Sequence, residues 1–585
     1  MQKTKLAAFF MFLIFTSACQ NKHSPTHDQI NVSIRVNQIG YLPEGQKVAL
    51  ISEEISAASF RLIDLNTNAE VYTGEIGTSI KSPFSDKLLK KADFSAFHQE
   101  GKYSVFVEGL GYSAPFIIEP NIYDAVGKAS IKAFYFQRAS TALPEEYAGI
   151  WSRDMGHPDD KVYIHSSAAS SLRPEGTIIS SPKGWYDAGD YNKYIVNSGI
   201  TMGTLLSLIE DHPDLITTMY LDIPESEDTI PDLVNELLWN LEWMATMQDP
   251  ADGGVYHKLT TAKFEGMVLP ENATNKRYVV AKGTAATLDF AAVMAQASRV
   301  LKSFNPEFAE SYLEASIKAW EWAKANPEIP YRQDEINKTH KPEIQTGAYG
   351  DESLKDEWLW AASELYISTQ DSKYLDFLVT PEDFDLPSWN KVNWLGYYSL
   401  LRYEHDLPQL DMELMNAIKE KLIEKADHYV TFSKENPYLT SMGSSVKDFV
   451  WGSNAVVCNQ GIALLYAYKL TNDQNYLLTA HGNLNYLLGI NATGYSFVTG
   501  FGHLSPLRPH HRLAEAEPEK APLPGFLAGG PNPGQQDDCD YPSDIPDESY
   551  VDEACSYASN EIAINWNAPF AYLVNALNHI SQSRY

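Results

Sequence analysis

The chain has 585 residues, of which 44% are hydrophobic and 21% are charged. This length and composition are those of a globular protein with room for two or more domains, and they exclude a disordered or fibrous chain. The 76 acidic residues outnumber the 45 basic residues and give a formal charge of −31. Such a charge repels nucleic acids and anionic surfaces, so we expect no nucleic-acid partner and a neutral or cationic ligand.

The first residues predict export. Two lysines precede an apolar run over residues 6–15, which is too short to span a bilayer. Small residues before Cys19 resemble the cleavage box of a bacterial lipoprotein, which predicts a signal peptide over 1–18, lipidation of Cys19 and a tether over 19–30. The alternative is a plain secretory signal. We expect an outer-membrane lipoprotein, at the cell surface or the periplasmic face, that touches the membrane only through its lipid.

Residues 31–119 have the pattern of a small all-β sandwich. Short apolar runs, at 47–51, 60–63 and 103–107 among others, are separated by polar or glycine-containing breaks. The segment 35–43, RVNQIGYLP, opens this module and has no recognisable chemistry. A glycan-binding module and a packing module are both consistent with it.

From residue 120 to residue 585 the apolar period changes to that of helices, which predicts an all-α domain. Amphipathic stripes lie at about 121–140, 195–211, 229–246, 284–302, 309–325, 353–368, 411–431, 454–470, 475–488 and 561–581. Three helices end in a short polar break followed by Tyr-Leu, at Leu313, Leu375 and Leu477. Breaks of this length join antiparallel helix pairs, and several such pairs build either a solenoid or a closed ring of hairpins.

The stretch 184–194, GWYDAGDYNKY, places Asp187 and Asp190 three residues apart and surrounds them with aromatic rings. A packed core does not take two acids without partners, and a solvated turn does not need four rings. Aromatic faces beside acids suit a carbohydrate, because a sugar ring offers an apolar face to stack on and hydroxyls to bond. The alternative is an ordinary turn or helix N-terminus.

Two further segments carry possible chemistry. Glu561 lies in SYASNEIAINWNAP beside apolar residues that would raise its pKa, although it could also cap the last helix. In SFVTGFGHLSPLRPHHR, His510 and Arg512 point to one side and could hold sugar hydroxyls, whereas a surface loop is the alternative. Cys539 and Cys555 flank an acidic loop, which predicts a disulfide in an oxidising compartment, while Cys458 fits a buried helix.

These three motifs, in this order and at these distances, resemble those of glycoside hydrolase family 9. RVNQIGYLP and the β module resemble the immunoglobulin-like domain that precedes the catalytic domain in one branch of the family. The resemblance implies an (α/α)6 toroid of six helical hairpins that cuts β-1,4-glucans with inversion. It also implies that Asp190 is the general base, that Asp187 helps to hold the nucleophilic water, and that Glu561 is the general acid. Inversion needs an acid and a base on opposite faces of the sugar, about 6.5–9.5 Å apart.

The resemblance also implies a set of sugar-contacting residues. These are His257, Asp356, Trp389, His510, Arg512 and Trp566. Two of the family's usual residues are replaced here: Leu504 stands where Asn, Lys or Arg is usual, and Trp566 stands where many members have Tyr.

Metal sites of the family are only partly matched. Some members bind zinc through two Cys and two His, but the matching positions here are Ala139, Gly156, His157 and Lys193. A single histidine cannot hold tetrahedral zinc, so we predict that this zinc site is absent. Calcium is common in the family, and the acidic residues Asp351, Glu352 and Asp356 could bind it, or could form a solvated loop.

We therefore predict a monomeric, endo-acting, inverting β-1,4-glucanase that needs no cofactor. Its substrate would be a soluble or amorphous β-glucan with a cellulose-type, mixed-linkage or xyloglucan backbone. Two alternatives remain. An exo-acting β-glucosaminidase shares the scaffold and would suit the acidic charge, and a non-catalytic surface glycan-binding protein would bind without turnover.

Overall fold

The computed structural model describes residues 30–52, 55–407 and 409–583. The predicted signal peptide, the lipidation site Cys19 and nearly all of the tether lie outside the described residues. Within the part of the chain that the structure describes, no helix is both long enough and apolar enough to cross a membrane.

The N-terminal module is an all-β domain, as predicted. Its strands are β1 Ile34–Arg35, β2 Gly40–Tyr41, β3 Val48–Ile51, β4 Ser59–Asp64, β5 Ala69–Lys81, β6 Leu88–Asp93, β7 Gly101–Val107, β8 Gly111–Tyr112 and β9 Phe116–Ile118. β5 joins the two layers, because it pairs with β4 in one layer and with β6 in the other. Phe60 and Leu62 of β4 point into the core and are fully buried. This alternation of buried and exposed residues is the period of two that a half-buried strand requires.

The segment RVNQIGYLP packs this module against the helical domain. The amide oxygen of Gln38 accepts hydrogen bonds from the backbone N–H groups of His503 and Leu504, both at 2.8 Å. The amide nitrogen of Gln38 donates to the carbonyl of Gly494 at 2.8 Å. These contacts favour the packing role over glycan binding for the segment, and they place Leu504 beside the β module.

The rest of the chain is mainly helical. The longer helices are α1 Asp124–Phe136, α2 Ile195–Asp211, α3 Asp232–Thr246, α4 Thr284–Leu301, α5 Pro306–Ala325, α6 Lys355–Thr369, α7 Asn393–Tyr403, α8 Met412–Glu435, α9 Ser453–Thr471, α10 Gln474–Leu487 and α11 Ile564–Gln582. Short helices lie at Glu145–Ala148, Pro213–Thr218, Gln333–Thr339, Arg512–Ala516 and Tyr557–Asn560. Outer and inner elements alternate along the chain once the 3-10 helix Ser372–Phe377, between α6 and α7, is counted as an outer element. The inner helices are α2, α4, α6, α7, α9 and α11.

Contacts between neighbouring inner helices close the ring. Tyr398 of α7 stacks on Tyr466 of α9 with the ring centroids 4.1 Å apart. The hydroxyl of Tyr572 on α11 donates to Asp211 at the end of α2 at 2.8 Å, so the last helix packs on the first inner helix. The helical toroid follows the predicted architecture, and it excludes the open solenoid.

The fourth hairpin differs from the prediction. Its outer element is a 3-10 helix, Ser372–Phe377, and not an α-helix. Its inner helix α7 was not predicted, because the sequence NWLGYYSLLRY is buried on nearly every face and therefore has little amphipathic contrast.

A small sheet lies beside the first inner helix and was not predicted either. Its strands are β10 Val162–Ile164, β11 Ile178–Ile179, β12 Lys193–Tyr194, β13 Lys258–Thr261 and β14 Arg277–Val279. β12 directly follows the Asp187–Asp190 segment, and it pairs with β13 so that Tyr194 lies opposite Lys258. The sheet therefore supports the loop that carries the two aspartates.

Candidate active site

The three sequence motifs meet at one glycine. The backbone N–H of Gly189 donates to Oε1 of Glu561 at 3.3 Å. The carbonyl of Gly189 accepts hydrogen bonds from Nη1 of Arg512 at 2.7 Å and from its backbone N–H at 3.1 Å. A Cβ atom at Gly189 would lie 2.2 Å from the carbonyl oxygen of His510. Only glycine fits here, and this explains the small residue between the two aspartates.

Asp187 and Asp190 are both buried in this loop. Both carboxylate oxygens of Asp187 accept hydrogen bonds from Nδ2 of Asn197 on α2 at 3.0 Å, and one also accepts from the hydroxyl of Tyr349 at 3.3 Å. Burial and the nearby charge of Asp190 raise the pKa of Asp187 well above its usual range. The nearby charge acts in this direction because two adjacent carboxylates resist ionising together.

Asp190 has a different set of partners. Its Oδ2 accepts a hydrogen bond from the hydroxyl of Tyr194 at 3.1 Å and a second one from Nδ2 of Asn192. The backbone N–H of Ile564 at the start of α11 donates to the carbonyl of Asp187 at 2.9 Å. The aspartate loop is therefore fixed both by its own neighbours and by the last helix of the ring.

Glu561 faces the two aspartates from the other end of the chain. Burial raises the pKa of Glu561 well above its usual range, the charges of Asp190 and Asp187 raise it further, and Arg512 and the Gly189 N–H oppose the shift. The side chain nevertheless lines the cavity described next. A carboxyl group whose pKa is raised and that faces a cleft is suited to donate a proton.

The site lies in a cleft with two connected parts. One part, of about 520 Å³, is lined by Asp187, Asp190, His510, Arg512 and Glu561. The other part, of about 530 Å³, is lined by aromatic and amide residues that include Trp389, Asn390, Trp451, Asn459 and Trp566. Tyr349, Trp451 and Glu561 line both parts. Glu561 therefore lies where the two parts of the cleft adjoin.

Four of the predicted sugar-contacting residues lie on the cleft surface, and two do not. His510 and Arg512 line the acidic part, and Trp389 and Trp566 line the aromatic part. His257 is buried behind the wall, where Nε2 bonds to the carbonyl oxygen of Ala348 at 2.8 Å and the ring stacks on Tyr331 at 3.9 Å. His257 lines neither part of the cleft, so the structure does not place it at the position that the resemblance implies.

Asp356 is also placed differently from the prediction. Its carboxylate accepts a hydrogen bond from the backbone N–H of Val392 at 2.9 Å, and it lines neither part of the cleft. Asp356 belongs to an acidic cluster with Asp289, Asp351 and Glu357. Burial, and then the charges of Asp356 and Asp351, raise the pKa of Asp289 well above its usual range.

Sequence reasoning missed several residues of the cleft wall. Tyr349 has a left-handed backbone with φ of 47°, which is rare for a bulky residue and often marks a functional site. Its ring lies edge-on to Tyr194 at 4.9 Å and to Trp389 at 5.3 Å. Trp451 is 43% exposed and packs against Tyr557 at 5.3 Å. The sequence signal that could have indicated Tyr349 is the pair of glycines that flanks Ala-Tyr in TGAYGD, residues 346–351.

The predicted metal positions have other partners. Glu352 is exposed and pairs with Arg332 at 2.5 Å, so it points away from Asp351 and Asp356. Lys193 pairs with Asp159 at 2.8 Å, and Nδ1 of His157 lies 2.8 Å from the hydroxyl of Tyr186. Among the residues that the structure describes, no group of three or more His, Cys, Asp or Glu side chains is arranged to hold a metal ion.

The acidic loop beyond the cleft is cross-linked. Cys539 and Cys555 form a disulfide with their Cα atoms 5.6 Å apart, and Cys458 is a free buried cysteine. The bridged loop leads into the short helix Tyr557–Asn560, which directly precedes Glu561. The disulfide therefore restrains the segment that delivers Glu561 to the cleft.

Comparisons with known proteins show the family of the chain. The model of glycosyl hydrolase family 9 matches residues 123–574, and the cellulase N-terminal ig-like domain matches residues 30–112. The chain is 45% identical over 557 residues to the xyloglucan-specific endo-beta-1,4-glucanase BoGH9A of Bacteroides ovatus, covering 94% of each protein. It is 34% identical over 555 residues to endoglucanase D of Acetivibrio thermocellus, covering 93% of this chain and 83% of that protein.

Solved structures of similar proteins also match this chain over most of its length. A structure of Bacteroides ovatus GH9 superposes with a TM-score of 0.88 at 43% identity, covering 94% of this chain and 100% of that one. A thermostable endoglucanase from Alicyclobacillus acidocaldarius superposes with a TM-score of 0.81 at 29% identity, covering 93% of this chain and 99% of that one. The chain belongs to glycosyl hydrolase family 9 and is a glycoside hydrolase with an N-terminal cellulase ig-like domain.

Proposed function

We propose that the protein hydrolyses β-1,4-glucosidic bonds inside β-glucan chains with inversion of configuration. Glu561 protonates the leaving oxygen, Asp190 takes a proton from the attacking water, and Asp187 holds that water. The convergence at Gly189 carries this proposal, because it brings an acid with a raised pKa to the loop that holds the two aspartates. Inverting enzymes need this division between an acid and a base.

The environment of each carboxyl group supports its role. Glu561 is desolvated and faces two acidic neighbours, and both effects raise its pKa. Asp190 accepts hydrogen bonds from Tyr194 and Asn192, which hold its carboxylate in one orientation. Asp187 is fixed on both oxygens by Asn197. A binding protein would have no use for this arrangement, so the non-catalytic alternative is disfavoured.

The shape of the cleft supports internal cleavage of a long chain. The cavity extends from Glu561 in two directions, so sugar units can lie on both sides of the cleaved bond. Trp389, Trp451 and Trp566 provide apolar faces for sugar rings. Because a similar protein of Bacteroides ovatus is named as xyloglucan-specific, we propose a xyloglucan backbone as the preferred substrate.

A panel of polysaccharides tests this function. The purified enzyme is incubated with xyloglucan, mixed-linkage glucan, carboxymethyl cellulose and chitosan, and viscosity and reducing ends are followed together. Internal cleavage predicts an early fall in viscosity on xyloglucan, and proton NMR should show the α-anomer first. Faster release of single sugars from chitosan would favour the exo-acting β-glucosaminidase. Binding without turnover on every substrate would refute the enzyme function.

Export, anchoring and oligomeric state remain proposals based on the sequence. We propose that Cys19 carries the lipid and that the protein is a monomer in the outer membrane. Replacement of Cys19 by Ser should release the protein from the membrane fraction in cells, and gel filtration of the soluble part should give a single-chain mass. Protein that stays with the membranes after the substitution would contradict lipid anchoring.

We propose no cofactor for the chemistry and at most a structural calcium ion at the acidic cluster. The two carboxylate oxygens of Asp289, together with Oδ2 of Asp351 and Oε2 of Glu357, are buried without hydrogen-bond partners. Such oxygens suit calcium in type, although the side chains do not converge as a ready chelate. A melting temperature that rises with calcium and falls with EDTA, at unchanged pH, would support the ion. An unchanged melting temperature would exclude it.

A further inference from the structure

A buried lysine lies beside the catalytic loop, and the mechanism above does not use it. Lys258 has no exposed surface, and its ammonium group donates to the carbonyl of Gly347 at 2.5 Å, to Oε1 of Gln333 at 2.6 Å and to Oγ1 of Thr346 at 3.3 Å. Burial lowers the pKa of Lys258 to about 7, and the negative charge of Asp190 opposes this shift. A cation without exposed surface is costly, so its position needs a reason.

Strand pairing places Lys258 next to the proposed base. Lys258 lies directly opposite Tyr194 in the antiparallel pair of β12 and β13, and its Nζ is 5.5 Å from the centre of the Tyr194 ring. The hydroxyl of Tyr194 donates to Oδ2 of Asp190 at 3.1 Å. The lysine therefore packs against the ring whose hydroxyl orients the Asp190 carboxylate.

A second path of hydrogen bonds reaches the same carboxylate. The hydroxyl of Thr346, bonded to Lys258, lies 2.6 Å from that of Thr260. The hydroxyl of Thr260 donates to the amide oxygen of Asn192 at 3.1 Å, and the amide nitrogen of Asn192 donates to Oδ2 of Asp190. Tyr194 thus contacts Lys258 directly, whereas Asn192 is linked to Lys258 through Thr260 and Thr346.

Lys258 also fixes the segment that contacts the other aspartate. Gly347, whose carbonyl accepts from Lys258, lies two residues before Tyr349, and both residues line the two parts of the cleft. The hydroxyl of Tyr349 donates to Asp187 at 3.3 Å. One ammonium group therefore connects the supports of Asp190 and Asp187.

We propose that Lys258 is a positioning residue for hydrolysis, which orients the Asp190 carboxylate through Tyr194 and Thr346 and stabilises its negative charge. This inference rests on the proposed role of Asp190 as the general base. Lys258 is the cation behind the carboxylate, whereas the cleft side of the site presents Asp187, Glu561, His510 and Arg512. The other titratable groups that pack on Lys258 are His257, Tyr194 and Tyr331.

The test compares Lys258→Met with Lys258→Arg across pH on the same xyloglucan substrate. Removal of a nearby cation raises the pKa of a carboxylate, so the acidic limb of kcat/KM should move to higher pH by about 0.5–1 unit in Lys258→Met. The value of kcat should fall by about tenfold or more, with little change in KM, because the base is misplaced and the substrate contacts are kept. Lys258→Arg keeps the charge and should return the acidic limb towards its wild-type position.

Lys47 supplies a matched control, because it is also a fully buried lysine whose ammonium group donates to backbone carbonyls, those of Leu42, Pro43 and Gly45. It lies in the β module, away from the cleft. Lys47→Met should lower the melting temperature without moving the acidic limb. A purely structural role for Lys258 would make its Met variant behave in the same way.

The outcomes separate this inference from the proposed function. An acidic limb that does not move in Lys258→Met would overturn the positioning role, whatever the change in kcat. If the Met variant does not fold, Lys258→Gln replaces it, because glutamine keeps an N–H donor for Gly347 but carries no charge. The acidic limb of this variant should also move to higher pH, and an unmoved limb would overturn the positioning role. This inference alone would be refuted if the wild-type enzyme turns over glucan and Lys258→Met, like Lys47→Met, has a lower melting temperature but an unmoved acidic limb. Wild-type enzyme without turnover would refute both.

Discussion

Replacement of Gly189 by Ala tests whether the three motifs act as one site. The added Cβ would lie 2.2 Å from the carbonyl oxygen of His510, 2.9 Å from Cδ2 of its ring and 3.1 Å from Oε1 of Glu561. The nearest of these atoms is backbone, so the loop must move by about 1 Å to reach van der Waals distance. That movement breaks or lengthens the bonds of Gly189 to Glu561 and Arg512, at 3.3 and 2.7 Å.

The expected loss is larger in activity than in stability. A displacement of about 1 Å between acid and base costs about 100-fold in rate, or roughly 2.7 kcal/mol of activation free energy. Overpacking of this kind lowers the free energy of unfolding by about 1–3 kcal/mol, which leaves the enzyme folded at room temperature. We therefore expect kcat/KM on xyloglucan to fall about 100-fold, with cooperative melting retained.

Gly266 provides the matched control for this assay. It lies in the loop that contacts Arg512, an added Cβ would meet no atom within 4 Å, and its backbone is not left-handed. Gly266→Ala should keep wild-type kcat/KM and melting temperature. If Gly189→Ala retained activity close to that of Gly266→Ala, the contact at Gly189 would not be part of the catalytic geometry, and the reasoning from convergence would fail.

The remaining predictions concern single side chains. Glu561→Gln and Asp190→Asn should each abolish turnover in reducing-end assays while keeping glucan binding in affinity gels. Wild-type activity should disappear as pH rises through the raised pKa of Glu561, because the acid must be protonated. Asp159→Asn removes the negative charge that pairs with both Lys193 and Arg277, each at 2.8 Å, and should lower the free energy of unfolding by about 3–5 kcal/mol in denaturant titrations. Trp451→Ala removes a ring that is 43% exposed on the cleft wall and should raise KM by about tenfold with little change in kcat.

Much of the fold was predictable because the long helices have a clear apolar stripe. The helix predicted at 195–211 matches Ile195–Asp211, and the β module was recognised from short apolar runs. Helix α7 was not predicted because it is buried on nearly every face, so its apolar residues show little helical periodicity. The small sheet was not predicted because strands of two to four residues depend on pairing with neighbouring strands more than on their own sequence.

The catalytic loop was predictable from composition, whereas its supports were not. Two acids among aromatic rings at 184–194 stand out in any globular sequence. His257 and Asp356 were misplaced because a resemblance in sequence does not show which side of a wall a side chain faces. Nothing in the sequence indicated that Lys258 is buried, because a lysine in a strand is normally on the surface. Its burial and its position opposite Tyr194 are seen only in the structure.

Closure of the helical ring explains why distant residues can share one site. Asp187 and Asp190 precede the first inner helix, and Glu561 precedes the last one, so they meet only where α11 packs on α2. The backbone bond from Ile564 to Asp187, at 2.9 Å, forms at this closure on the same side as the cleft. An open solenoid would leave the acid and the base at opposite ends of the molecule. The packing of α11 on α2 therefore closes the ring and also brings the proposed acid to the proposed base, so a substitution that loosens this packing should lower hydrolytic activity together with stability.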